Sequence, residues 1–288
     1  MTREYLICVG VMKAGTTLLY DLLRQHPGVR AGKVKELHYF DEAESPDKAA
    51  YDQLFRKGSG IKMDVTPMYM YDPATLDKLC RALDPAACAI LVLLRDPIER
   101  AWSHYRMRVS QDLEPLPFEE TLPAEPGRIA RRARGGRIHG YFTGGLYAGQ
   151  LDALYARFPR ENIKVMLFED FIRDQQAAVD EICAFAGLEK QEITPTVSNA
   201  GVVHHKSRLV AKIVKWLTRL VPNALKTDGM RRLKYALVRL NRDDSVKDVI
   251  PETFLPVLKG YYREDVERLG REYGIDTSKW KHFKKKRN

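Results

Sequence analysis

The opening of this chain constrains its fold most. The apolar run Tyr5 to Val11 breaks at a glycine-containing turn and gives way to Leu18, Leu19, Leu22 and Leu23. A short apolar run reads as a strand, and leucines three and four residues apart read as one face of a helix, so the chain begins strand, loop, helix. Two later runs repeat the theme. Ala89 to Leu94 ends in Arg95-Asp96-Pro97, where Asp96 can cap and Pro97 can begin the next helix; Ile163 to Phe168 follows the helical pattern Leu151 to Phe158. Strands alternating with helices predict an α/β fold, a parallel β-sheet flanked by helices, with ligands at the carboxyl ends of the strands.

With 288 residues, 44% of them apolar, the chain can bury a large core, which excludes disorder. The reading is a single domain over residues 1–288, interrupted by a basic loop at 112–136 and an amphipathic helical insert at 204–245. The first, rich in Pro, Glu and Arg, reads as a mobile gating loop or a short surface helix. The second sets Leu209, Ile213, Trp216, Leu217 and Leu220 among Lys206, Arg208, Lys212, Lys215 and Arg219. That pattern fits a helix packed on the domain or on a second subunit, and it also fits peripheral membrane contact through 204–242. Lys and Arg number 48 against 38 Asp and Glu, a net +10 that favours anionic partners without naming one. Cys8, Cys80, Cys88 and Cys183 lack CxxC spacing, and His204-His205 lacks a third ligand at a usual interval, so no metal site is expected. The opening residues lack a signal-peptide layout, and the run that follows is too short to span a bilayer. The expectation is a cytoplasmic protein, peripheral on the inner membrane face if the insert meets lipid.

The turn after the first strand carries chemistry. In Gly10-Val11-Met12-Lys13-Ala14-Gly15-Thr16-Thr17, backbone N–H groups at a helix start can converge on an anion. The glycines have the separation of a nucleotide-triphosphate P-loop, but Thr16 stands where that motif requires lysine, and the lysine comes earlier, at Lys13. This disfavours a kinase. An ammonium inside the loop can reach the bridging oxygen of a bound anhydride, where charge grows as the leaving phosphate departs. The alternative is a plain glycine turn with a solvated lysine. Arg95 closes the second strand, and Arg100, Ser103 and Tyr105 follow on the next helix, so a guanidinium and a hydroxyl can grip a second phosphate. A structural ion pair of Arg95 with Asp96 or Glu99 is the competing reading.

GVMKAGTT at 10–17, KELHYFD at 35–41, GIKMDVTPMY at 60–69 and LLRDPIERAWSHY at 93–105 together resemble the sulfotransferases that use 3′-phosphoadenosine 5′-phosphosulfate (PAPS). The likeness is to the bacterial and heparan-sulfate-type carbohydrate branch, and it continues through 144–171 and 276–280. The resemblance implies the P-loop-type sulfotransferase fold and PAPS as donor, with no metal. Lys13, Ala14, Gly15, Thr16 and Thr17 match the loop that holds the 5′-phosphosulfate, and Arg95 and Ser103 match the pair on the 3′-phosphate. Lys206 and Ser207 lie near a further nucleotide-covering loop. Glu36 matches the general base of carbohydrate sulfotransferases, His38 is the rival base, and Lys62 matches a lysine near the sulfuryl group.

The branch implies an acceptor hydroxyl on a saccharide or glycolipid. Tyr39, Phe40, Tyr69, Tyr71 and Tyr141 are candidate faces for a sugar or apolar ring and equally candidates for the core. The basic run Arg128 to Arg137 would attract an acidic glycan or is simply solvated surface. No nucleic-acid partner is expected: a charge-driven nucleic-acid or membrane binder would not need Lys13, Glu36, Arg95 and Ser103 in one constellation.

Overall fold

The computed structural model describes residues 3–131, 139–195 and 249–284. The chain divides into two compact units, one of residues 1–105, 116–199 and 252–288, the other of 106–115 and 200–251. The second takes in most of the segment read as an amphipathic insert, which lies outside the described residues.

The elements run β1 Tyr5–Gly10, α1 Thr16–Leu23, β2 Val29–Ala31, α2 Tyr39–Glu42, α3 Lys48–Asp52, β3 Ile61–Val65, α4 Pro73–Ala82 and β4 Cys88–Leu94. They continue with α5 Pro97–Ser110, α6 Phe118–Arg131, α7 Tyr147–Tyr155, β5 Ile163–Leu167, α8 Phe168–Arg173, α9 Gln175–Ala186 and α10 Leu255–Tyr273. The strands form one parallel sheet in the order β2-β3-β1-β4-β5. Every residue of β1, β3 and β4 is buried, as a sheet covered on both faces requires. The chain leaves β1 toward β2 on one side and reaches β4 on the other. The carboxyl ends of β1 and β4 therefore form the switch point where such sheets bind ligands.

Local chemistry sets the turns at that edge. Gly15 sits at φ 83°, and a Cβ there would meet the Phe168 ring at 2.8 Å, so both conformation and space demand glycine. Asp96 caps α5 as its sequence predicts, accepting from the N–H groups of Ile98 at 2.9 Å and Glu99 at 3.3 Å. Asp265 of α10 accepts from the first-turn amides of α7, Tyr147 at 2.8 Å and Ala148 at 3.0 Å, which have no partner within the helix.

The 112–136 segment is corrected in part. Its central stretch is the helix α6, in which Phe118, Thr121 and Glu125 are buried, and Glu125 accepts from the N–H groups of Phe142 at 2.9 Å and Thr143 at 2.7 Å. A helix so anchored is a packed element rather than a mobile gate. Much of the basic run beyond it, residues 132–138, lies outside the described residues. No described helix is long and apolar enough to cross a membrane.

Candidate active site

Parallel pairing carries β1 and β4 to the same edge. Gly10 registers with Val92, and the Val11 N–H donates to the Leu93 carbonyl at 2.9 Å, so the loops that follow leave side by side. Lys13 and Arg95, 82 residues apart in the chain, consequently touch: the Arg95 guanidinium donates to the Lys13 carbonyl at 3.1 Å.

Arg95 is held in place by several neighbours. Its guanidinium lies 4.8 Å from the centre of the Phe168 ring, and its carbonyl accepts from the Tyr147 hydroxyl at 2.8 Å. The Glu99 carboxylate stands off at 3.8 Å, beyond hydrogen-bond distance. Glu99 is drawn elsewhere, accepting from His282 at 2.9 Å and Lys281 at 3.0 Å. The His282 hydrogen bond, helped by Lys281 and opposed by burial, holds its carboxyl at about 2. The structural ion pair considered from the sequence is thus loose. Ser103 lies one helical turn beyond Glu99 on α5 and is half-buried.

Lys13 adopts φ 75°, in the left-handed region that non-glycine residues seldom occupy. Burial, with Arg95 and Arg100 adding repulsion, depresses its ammonium to about 8. Arg100, which the sequence reading mentioned but assigned no role, is 1% exposed and donates to the carbonyls of Gly140 and Tyr141. It is a fixed positive charge behind the loop. Ala14 is fully buried and its N–H closes the loop on the Val11 carbonyl at 3.2 Å, so it serves by shape. Thr16 is buried and Thr17 exposed in the first turn of α1, where amide donors lack partners within the helix.

A second cluster approaches from the segment before α2. Glu36 and His38 both have positive φ, 60° and 51°, a cost of about 1–3 kcal/mol each. Lys35 pairs with the Glu36 carboxylate, whose other oxygen lies 3.5 Å from His38 Nε2, while His38 Nδ1 is 2.8 Å from Asp41 Oδ2. Burial pushes Glu36 upward, but hydrogen bonds from His38 and Lys35 overcome it and hold the carboxyl at about 2. Hydrogen bonds to Asp41 and Glu36 raise His38 to about 10 against the effect of burial. The protonated ring is therefore favoured, as a donor to both carboxylates. The charges of Glu36 and Lys35 are both felt at Lys13, which puts the two clusters within electrostatic reach.

Lys62 is not brought to this edge. It registers with Tyr5 at the amino end of the sheet, about 16 Å from the Gly10 end at ordinary strand rise. There its ammonium pairs with Glu4 at 2.6 Å and Asp52 at 2.8 Å and lies over the Tyr5 ring. The sequence motif placed it near the sulfuryl group; the strand register turns it to a structural role. Lys206 and Ser207 lie outside the described residues. Of the aromatic candidates, Phe40, Tyr69 and Tyr141 are fully buried core, whereas Tyr39 and Tyr71 keep some exposure. Tyr71 lines a small cleft beside the loop with Val11, Met12, Met68, Arg100 and Gln150. No three His, Cys, Asp or Glu side chains converge as a metal site among the described residues.

The comparisons with known proteins meet this geometry. The sequence profile of the sulfotransferase domain matches residues 3–234. The chain belongs to the sulfotransferase domain family. A sulfotransferase crystal structure from Alicyclobacillus acidocaldarius superposes with a TM-score of 0.61 at 28% identity, covering 85% of this chain and 98% of that one. Human heparan sulfate glucosamine 3-O-sulfotransferase 6 is 30% identical over 192 residues, 64% of this chain and 52% of its own length. Mouse heparan sulfate glucosamine 3-O-sulfotransferase 3B1 is 28% identical over 193 residues, 64% of this chain and 46% of its own length. The chain thus spans about half the length of the curated relatives it matches. The sulfotransferase α/β fold expected from the motifs is the fold observed, with Gly10–Thr17 and Arg95 at its switch-point edge.

Proposed function

We propose that this protein transfers the sulfuryl group of PAPS to a hydroxyl of a saccharide acceptor, with Glu36 as general base. The observation that carries the reading is the contact of Arg95 with Lys13 at the carboxyl ends of adjacent β4 and β1, with Glu36, from the segment after β2, within electrostatic reach of Lys13. Membership of the sulfotransferase family supports the donor, and the likeness to heparan sulfate sulfotransferases supports the saccharide.

The chemistry follows from the residues. The acceptor oxygen attacks sulfur as the bond from sulfur to the bridging phosphate oxygen breaks, and 3′-phosphoadenosine 5′-phosphate leaves. Lys13, beside Arg95 and Arg100, supplies positive charge to the departing phosphate oxygen. The loop amides and Thr16 and Thr17 cradle the 5′ end, while Arg95 and Ser103 take the 3′-phosphate. Glu36, ionised throughout the physiological range, receives the acceptor proton, and protonated His38 with Lys35 orients it. Positioning and electrostatics are what such a transfer asks of a protein.

The acceptor enters over the exposed parts of Tyr39 and Tyr71. A lipid-linked saccharide falls within the same proposal, the 204–242 segment then meeting the membrane surface; flotation with anionic vesicles tests that contact, and its absence removes it. The whole reading is tested by donor-dependent labelling of a panel of saccharide, lipid and phenolic acceptors. Label on glucosamine-containing oligosaccharides is the expected result. Label confined to phenols overturns the saccharide acceptor, and no donor turnover with any acceptor overturns the reaction.

A further inference from the structure

The turn that presents Glu36 has an anchor that no family likeness assigned. Two residues of that turn, Glu36 and His38, sit in the left-handed region, so something must hold the backbone there. Neither is glycine, and the amide that follows His38 shows what does the holding. The Tyr39 N–H donates to the Tyr69 hydroxyl at 3.0 Å, and Tyr69 in turn donates to Asp64 Oδ2 at 3.0 Å. Amide and phenol thus pass their hydrogen bonds to one carboxylate.

Asp64 is built to receive them. It lies on β3, beside the catalytic edge's central strand, and is 1% exposed. Thr66 donates to it at 2.6 Å and Tyr51 at 2.9 Å, so Thr66, Tyr51 and Tyr69 all donate to the same group. A buried carboxylate is costly unless its oxygens are satisfied, and here one of the donors that satisfy it also holds the turn. Tyr69 differs from Tyr51 in one respect: both hydroxyls reach Asp64, but only the Tyr69 hydroxyl also accepts an amide of the turn.

We propose that Asp64, acting through Tyr69, is the positioning residue that locks the Glu36–His38 turn and aims Glu36 at the reacting hydroxyl. The inference rests on Glu36 as the general base. It makes β3 the template for the base loop, just as β1 and β4 are the templates for the donor loops. A loosened turn leaves the donor site whole and misplaces the base.

The experiment compares Tyr69→Phe with Tyr51→Phe. Each removes one phenol hydroxyl from the same carboxylate and keeps its ring, so each lowers Tm by about 2–4 °C. For Tyr69→Phe the expected results are loss of hydrogen-exchange protection at the Tyr39 amide and a fall in kcat of roughly tenfold to hundredfold. Its affinity for 3′-phosphoadenosine 5′-phosphate by calorimetry stays that of wild type. The His38 ring, which faces Glu36 and Asp41 with Lys35 alongside, should titrate by NMR at lower pH than in wild type as those contacts loosen. Tyr51→Phe should keep wild-type His38 titration, Tyr39 protection and kcat. Equal losses of kcat and His38 titration in the two variants would overturn the positioning role. Exchange and NMR need no acceptor, so they decide it even if no saccharide is sulfated, and a failed acceptor panel would count against the proposed function alone.

Discussion

Two lysines mark opposite ends of the same parallel sheet, and their surroundings could hardly differ more. At the amino end Lys62 meets Glu4, Asp52 and the Tyr5 ring, while Lys48 shares both carboxylates. At the carboxyl end burial drives Lys13 down to about 8, with Arg95, Arg100 and Lys35 adding repulsion and Glu36 as a counterweight. The first arrangement is compensated from within. The second gathers positive charge at a strand edge beside the first turn of α1, the arrangement that the proposed donor site requires. Residue type says little about function until the charges around it are known.

Substitutions test that contrast in descending order of effect. Glu36→Gln keeps the shape of the base and removes its proton affinity, so kcat should drop roughly 10²–10⁴-fold while product-nucleotide binding by calorimetry is preserved. Unchanged kcat would remove Glu36 from the reaction. Lys13→Ala takes away the charge nearest the departing phosphate, for an expected loss in kcat of about 10²–10³-fold in steady-state assays. Arg95→Ala should act on affinity instead, weakening 3′-phosphoadenosine 5′-phosphate by about 2–5 kcal/mol in calorimetry; equal affinities would break the 3′-phosphate assignment.

The pH dependence sharpens the same comparison. Lys13 is held at about 8 without a ligand, and an anion binds its protonated form better, so binding raises that value. Donor affinity should therefore decline as pH rises through about 8, and binding near that pH should take up protons, visible as a buffer-dependent heat. A flat affinity from pH 7 to 9 would contradict it. The smallest effect on activity is expected from Lys62→Met. Transfer should stay within about twofold of wild type while stability falls by about 1–2 kcal/mol, because Glu4 and Asp52 are partly solvated and keep Lys48. Loss of transfer at wild-type Tm would restore Lys62 to the active site.

Much of this was legible from residues alone. The apolar runs at 5–11, 89–94 and 163–168 announced β1, β4 and β5, and Asp96-Pro97 announced the start of α5. β2 and β3 gave no such signal. β2 is three residues long, and β3 reads IKMDV, whose Lys62 and Asp64 are buried through partners elsewhere in the chain. The turn after β1 was legible because its glycine spacing is a local backbone requirement, met by Gly15 at positive φ. The fate of Lys62, the protonation of His38 and the role of Arg100 were not, since each depends on neighbours brought together by folding. His38 is the instructive residue: an isolated imidazole titrates near neutrality, and only the flanking carboxylates of Glu36 and Asp41 make it a permanent donor.

The order of residues was enough to determine a parallel α/β sheet and a glycine turn after its first strand, because periodicity, glycine and caps act over a few neighbouring positions. Tertiary structure alone decided which charged groups meet. Strand register sends Lys62 to one end and Arg95 to the other, and Coulomb energy depends on distances that chain order does not contain.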